Sequence, residues 1–267
     1  MADRQTHKLP TEILETIIAH LVYDTQSLKA CAATCFAWYN ITAPHLHHTL
    51  TLHEPHTDPT RGGPNPLMAL DKLGLLRLVK KVQFQRGISR SPWVVPDFFD
   101  PQSLCYFSAL TNLQVLEIAS LDFSKFASGT EMYFGRFTPT LRSVTLTHPS
   151  GPHQQLLDFL RLFQKLDDIK IVRYRPTTET RYATDAPRAP IQGSLRGRLT
   201  LSGFVEEGLL EDIIAAFGGA RFVSMDLEDV LGVQFLLDAC AETLQTLRVY
   251  PEGPHWSHDR ATVSVLI

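Results

Sequence analysis

The sequence predicts an α/β chain: a small, wholly helical unit over residues 1–48, then an irregular solenoid over residues 49–267. In that solenoid parallel strands line a concave face and helices lie on the convex face. Three observations predict it. The first fifty or so residues carry apolar side chains at helical spacing. Beyond residue 66, short segments of the form apolar-x-x-apolar-x-apolar recur along the chain. Between several of them lie amphipathic stripes with helical period.

The helical unit opens with Leu9-Pro10. Ile13, Leu14, Ile17, Ile18, Leu21 and Val22 then recur at i, i+1, i+4, i+5, i+8 and i+9, one broad apolar helix face. Pro10 suits the first helical position, where its missing N–H would have no partner anyway. Glu12 falls in the first turn, where the helix dipole favours an anion. Asp24-Thr25 offers a second N-cap, and Leu28, Cys31, Ala32 and Cys35 continue an i, i+3, i+4, i+7 stripe. Phe36, Trp38, Tyr39 and Ile41 form a third apolar cluster before Pro44 interrupts it. The segment therefore reads as two or three short helices. So small a unit cannot hide all its apolar surface internally, and a partner should cover the remainder.

This segment resembles an F-box. The resemblance lies in the opening Leu9-Pro10, in Glu12-Ile13-Leu14, in the aliphatic Ile17 and Leu21, in Leu28 at the start of the second helix, and in Trp38. It departs from the family pattern at Thr34-Cys35-Phe36-Ala37-Trp38, where basic residues are often found before the tryptophan. The resemblance implies docking on the Skp-type adaptor of a cullin–RING ubiquitin ligase. By carry-over, Leu9, Pro10, Ile13, Leu14 and Ile17 are the expected adaptor contacts. The alternative is an ordinary amphipathic helical hairpin that begins some other domain.

Composition narrows the class. The chain has 267 residues, 44% apolar and 20% charged, with a formal net charge of −3. That balance, with Lys and Arg scattered, carries no footprint for nucleic acid. No apolar run is long enough to span a membrane, and the first ten residues lack the apolar core of a signal peptide. Cys31, Cys35, Cys105 and Cys240 fit buried, reduced thiols in a cytoplasmic or nuclear protein.

After a Pro- and Gly-dense linker at His53–Pro66, the repeating segments follow. They are VKKVQF, LQVLEI, LRSVTL, LDDIKI, FVSMDL and LQTLRV, with a weaker GRLTL. Their last anchors are Phe84, Ile118, Leu146, Ile171, Leu201, Leu227 and Val249, spaced 34, 28, 25, 30, 26 and 22 residues apart. The residues between the last two anchors are Gln83, Glu117, Thr145, Lys170, Thr200, Asp226 and Arg248, all polar. In strands that row points away from the core. A run ahead of the linker, His48–Leu52, alternates in the same way and begins the second domain. The convex helices are expected around Leu156–Phe163, Leu209–Phe217 and Val233–Leu244.

Strand then helix at this period resembles a leucine-rich repeat, in the degenerate form found behind F-boxes in many fungal proteins. The family's Asn or Cys three residues after the last anchor is absent. Leu121, Pro149, Tyr174, Val230 and Glu252 stand there, so the turn hydrogen bonds must be met another way. The alternative is an unrelated α/β fold with parallel strands. Long loops interrupt the pattern at 86–101 and 173–194: the first is apolar enough to pack or to touch a partner, the second polar and expected to be mobile. The terminal ATVSVLI reads as a strand with no cap after it.

No constellation for bond chemistry is present. His45, His47, His48, His53 and His56 have no metal-ligand spacing, and no nucleophile, phosphate-loop or metalloprotease motif occurs. No enzyme activity, cofactor or metal is expected, and neither nucleic acid nor a membrane is an expected partner. The resemblance implies a substrate-recognition subunit, with an unidentified target protein bound along Gln83, Glu117, Thr145, Lys170, Asp226 and Arg248. The competing class is a repeat scaffold that binds a protein partner without a ligase.

Overall fold

The computed structural model describes residues 9–53, 66–85, 105–125, 134–137, 139–163, 165–177, 197–205, 222–230, 240–250 and 263–266, with single positions at 209, 213, 237 and 238. Its N-terminal part is three short helices: α1 (Thr11–His20), α2 (Thr25–Ala32) and α3 (Phe36–Leu46). Pro10 is the N-cap of α1 and not its first helical residue; its carbonyl accepts the N–H groups of Ile13 and Leu14. Asp24 caps α2, its carboxylate accepting from Gln26 N and Ser27 N at 3.1 Å each. Pro44 does not end α3, which runs two residues past it. A proline this close to a C-terminus removes one hydrogen bond and leaves most of the helix undisturbed.

Helices α1 and α2 pack on α3. Leu14, Ile18, Leu28 and Ala43 are buried there, apart from the main core cluster, whose first member is Leu50. Thr42 is buried among them, and its hydroxyl donates to Trp38 O at 2.8 Å, so it carries no unmet polar group inward.

Strand β1 (Thr49–His53) follows α3 after two residues and opens a nine-stranded sheet. The other strands are β2 (Lys81–Gln85), β3 (Val115–Ala119), β4 (Ser143–Thr147), β6 (Asp168–Val172), β8 (Arg198–Val205), β9 (Ser224–Val230), β10 (Thr246–Tyr250) and β11 (Val263–Leu266). They lie side by side in chain order. All pairs from β1 to β10 are parallel, and β11 closes the sheet antiparallel to β10. The pairing aligns Leu52, Phe84, Ile118, Leu146, Ile171, Leu201, Leu227 and Val249 in one row. A slip of one residue would turn a strand's apolar set to the polar face, so this register is strongly specified.

The layer beneath the sheet is less regular than the sheet. Helix α4 (Pro66–Lys72) precedes β2, and single 3-10 turns at Cys105–Ala109 and Phe123–Lys125 stand where longer helices could be. Helix α5 (His153–Arg161) buries Leu156, Leu157, Phe159 and Leu160 as its period requires. Leu209, Ile213 and Cys240 are also buried against the sheet; most of their two expected helices lies outside the described residues. Cys240 is the one buried thiol of the four: Cys31 is half-buried, and Cys35 and Cys105, at the starts of short helical segments, are exposed. A run of phenylalanines fills the gap left by the short connections. Phe84, Phe107, Phe134, Phe159 and Phe163 meet in sequence with ring centroids 5.3–6.0 Å apart.

Without an asparagine ladder, the turns are held by the backbone itself. At strand entry one carbonyl accepts two successive N–H groups of the next strand: His48 O from Lys80 and Lys81, Lys80 O from Gln114 and Val115, Gln114 O from Arg142 and Ser143. At strand exit Ser120, His148 and Arg173 take positive φ values of 58°, 52° and 55°; the corresponding Gly203, at a register irregularity within β8, takes 80°. Ser120 N donates to Thr147 O and His148 N to Val172 O, both at 2.7 Å, and Arg173 N donates to Ser202 O. Leu121 and Tyr174, which stand where the repeat pattern has asparagine, turn inward and are buried. The start of the stretch read as a mobile loop is ordered: β7 (Arg175–Pro176) pairs with β5 (Ser150–Gly151), and the Tyr174 hydroxyl donates to Gly151 O. The rest of that loop, the 86–101 loop and most of the 53–66 linker lie outside the described residues.

Candidate functional site

Two surfaces collect the residues singled out by the sequence. The first is α1. Its apolar face divides along the helix: Leu14 and Ile18 turn inward, while Leu9, Ile13 and Ile17, also one turn apart, turn out. Leu9 is 57% exposed, Ile13 47% and Ile17 38%, and Pro10 is exposed as well. Leu14 keeps only 9%, so its side chain serves the helical unit's own core and not its outer surface.

Other apolar residues of the helical unit are exposed too. Val22, Tyr23, Phe36 and Tyr39 are exposed, Tyr23 almost completely. In the sequence Phe36 and Tyr39 mark only an apolar cluster. Their exposure could not be seen there, because a short helix with apolar residues on several sides has no inner face marked by period. Electrostatics add two local features. Ser27 holds the Asp24 carboxyl below its usual range, first through its hydroxyl. At the start of α3 the exposed Cys35 thiol is pulled below its ordinary value, chiefly by the Trp38 N–H.

The second surface is the polar face of the sheet. Gln83, Glu117, Thr145, Lys170, Thr200, Asp226 and Arg248 form one cross-strand row, extended by Thr51 on β1. Much of it is knitted together. Thr51 donates to Gln83 Oε1 at 3.2 Å, Gln83 donates to Glu117, and Lys81 pairs with Glu117 at 2.7 Å. Ser143 donates to Asp168 and Ser202 to Glu228. Arg248 approaches Asp226 Oδ1 at 3.7 Å, an ion pair without a hydrogen bond. The residues offered for a target thus lie together, but Gln83, Glu117, Asp226 and Arg248 already have partners. Among the described residues no His, Cys, Asp and Glu group is arranged to hold a metal ion.

A family described as F-box-like matches residues 6–53, which takes in α1, α2, α3 and β1. That match supports an F-box protein and an adaptor role in ubiquitin ligase complexes; F-box domains generally bind Skp1-type adaptors. No curated protein matches the chain.

Proposed function

We propose that this chain is the substrate-recognition subunit of a Skp–cullin–F-box ubiquitin ligase. Residues 1–48 dock on the adaptor, and residues 49–267, read as an irregular leucine-rich-repeat domain, hold a target protein on the polar sheet face. The chain performs no bond chemistry of its own and works in the cytoplasm or nucleus. Its contribution is effective concentration, since tethering the target makes ubiquitin transfer nearly intramolecular.

The observation that carries the reading is the outward half of α1 within the F-box-like match. Leu9, Ile13 and Ile17 are left uncovered among the described residues. Completing the burial of two isoleucines would supply roughly 1–3 kcal/mol toward association, before entropic costs. The competing scaffold reading requires these residues to serve the chain's own packing, and their exposure favours the receptor.

Co-expression with a Skp-type adaptor, read by size exclusion, tests it. The parent chain should elute as a stoichiometric complex. Ile13→Asp with Ile17→Asp should abolish the complex and leave the unfolding midpoint nearly unchanged. Ile18→Ala, in the unit's core, should instead cost about 2–5 kcal/mol of local stability. Undiminished adaptor binding by the double variant would remove α1 from the interface.

A further inference from the structure

We propose that the target segment seated on the polar sheet face is uncharged, and that it sets one aliphatic side chain on Ala119, Thr147 and Val172, at the exit ends of β3, β4 and β6. The inference rests on the receptor reading above and adds the chemistry of the target.

Charges on this face compensate one another. Its outward positions carry Lys81, Lys170, Arg198 and Arg248 against Glu117, Asp168, Asp226 and Glu228, four of each sign among the described residues. Opposite signs stand on neighbouring strands. Lys81 on β2 pairs with Glu117 on β3 at 2.7 Å. Asp168 on β6 lies directly opposite Arg198 on β8. Asp226 on β9 faces Arg248 on β10 at 3.7 Å. Lys170 and Glu228 complete the set, again one of each sign. A charged segment would meet its own sign as often as the opposite one, and would give up hydration to do so. The face therefore favours neither an acidic nor a basic partner.

The same layout leaves one area without charge. Strand β4 offers only Ser143, Thr145 and Thr147 outward. Glu117, beside Thr145, bonds Lys81 through one carboxylate oxygen and Gln83 through the other, both on β2, and so is drawn away from β4. Toward strand exit Ala119, Thr147, Val172 and Ser202 lie level on four adjacent strands. The first three are half-buried and present methyl groups side by side. With strands about 4.8 Å apart this run is roughly 10 Å wide, enough to seat one branched aliphatic side chain. Hydrogen-bonding groups border it. The Thr145 hydroxyl, two residues before Thr147, makes no hydrogen bond among the described residues, Lys170 stands level with it, and Ser202, bonded to Glu228, closes the far end. An apolar centre with a polar rim buries one anchor and leaves the backbone around it hydrogen-bonded.

The test uses the full chain, alone and co-expressed with the adaptor, with its alanine, threonine and valine methyl groups labelled for NMR. The probes are N-acetyl-leucinamide and the corresponding serine, glutamate and lysine amides. Methyl shifts locate even a weakly held probe. The leucine amide should shift the Ala119, Thr147 and Val172 methyls saturably, and equally at low and high salt. The serine amide should bind at least about tenfold more weakly, for want of a buried aliphatic side chain. The glutamate and lysine amides should leave these methyls unmoved. Val172→Asp should abolish the leucine-induced shifts at Ala119 and Thr147 while thermal unfolding stays unchanged; if it unfolds the chain, Ala119→Gln should do the same at Thr147 and Val172. No response to the leucine amide, a response centred elsewhere, an equal response to either charged amide, or shifts that survive in the folded variant would each overturn the proposal. Failure to co-purify with the adaptor would count against the receptor reading by itself, because the methyl shifts are also read on the chain alone.

Discussion

Single backbone positions decide how closely these strands can follow one another. Ser120, His148 and Arg173 are held in a left-handed conformation that, of the four such positions along the sheet, only Gly203, within β8, adopts without steric cost. Each is held by its own N–H, donated to the exit of the neighbouring strand. At the opposite end Gly197 enters β8 so close to Asp167 that a Cβ there would collide with the Asp167 backbone carbonyl. Arg198 N donates to that same carbonyl at 2.8 Å, so the approach is part of the ladder. Gly197→Ala should therefore destabilise the fold by about 2 kcal/mol or more in urea unfolding. A midpoint equal to the parent's would mean β6 and β8 separate there without cost. Nothing in the local pattern marked Gly197, since the constraint comes from a residue thirty positions earlier.

At the scale of elements, the strands were legible and their connections were not. Alternation placed Val82 and Phe84, Leu116 and Ile118, Val144 and Leu146, and Ile169 and Ile171 on one face, and all eight are buried. Period alone could not show that Phe107, Phe123, Phe134 and Phe137 pack below the sheet, because they fall in short turns with no repeat to reveal them. Nor could it show how a turn lacking asparagine is completed. Between β6 and α5 the answer includes Tyr174, whose buried ring lies 5.3 Å from that of His153 and whose hydroxyl donates to Gly151 O at 2.5 Å. Tyr174→Phe keeps the ring and loses that bond. It should cost about 1 kcal/mol in chemical denaturation, because Gly151 O retains the Thr177 N–H as a second donor. An unchanged stability would assign the turn to ring packing and the backbone ladder.

At the scale of the molecule, the helical unit and the sheet share one junction. Only two residues separate α3 from β1, and the carbonyl of one of them, His48, accepts from Lys80 and Lys81 at 2.9 and 3.0 Å. Burial lowers the affinity of His47 for a proton; burial, then Lys80, does the same for His48. The unfolded chain takes up these protons near the ordinary histidine value of about 6.5, whereas the folded chain resists. The unfolded state thus binds more protons in that window, and stability falls as pH drops through and below it. The urea midpoint should decline between neutral and mildly acidic pH, and His47→Gln with His48→Gln should flatten the decline. A parallel decline in the variant would place the acid sensitivity elsewhere.

The sequence by itself determined an N-terminal unit of two or three short helices and the strands of the large sheet with their common register, because helical and strand periods are local and each buries one marked face. It also determined the apolar excess of the helical unit. Only the tertiary structure decided which half of α1 is spent inside, since adjacent apolar stripes on one helix are equivalent until α3 covers one of them. The same holds for the polar face: the sequence supplied acids and bases in near balance, and only the pairing across strands decided which of them lie side by side.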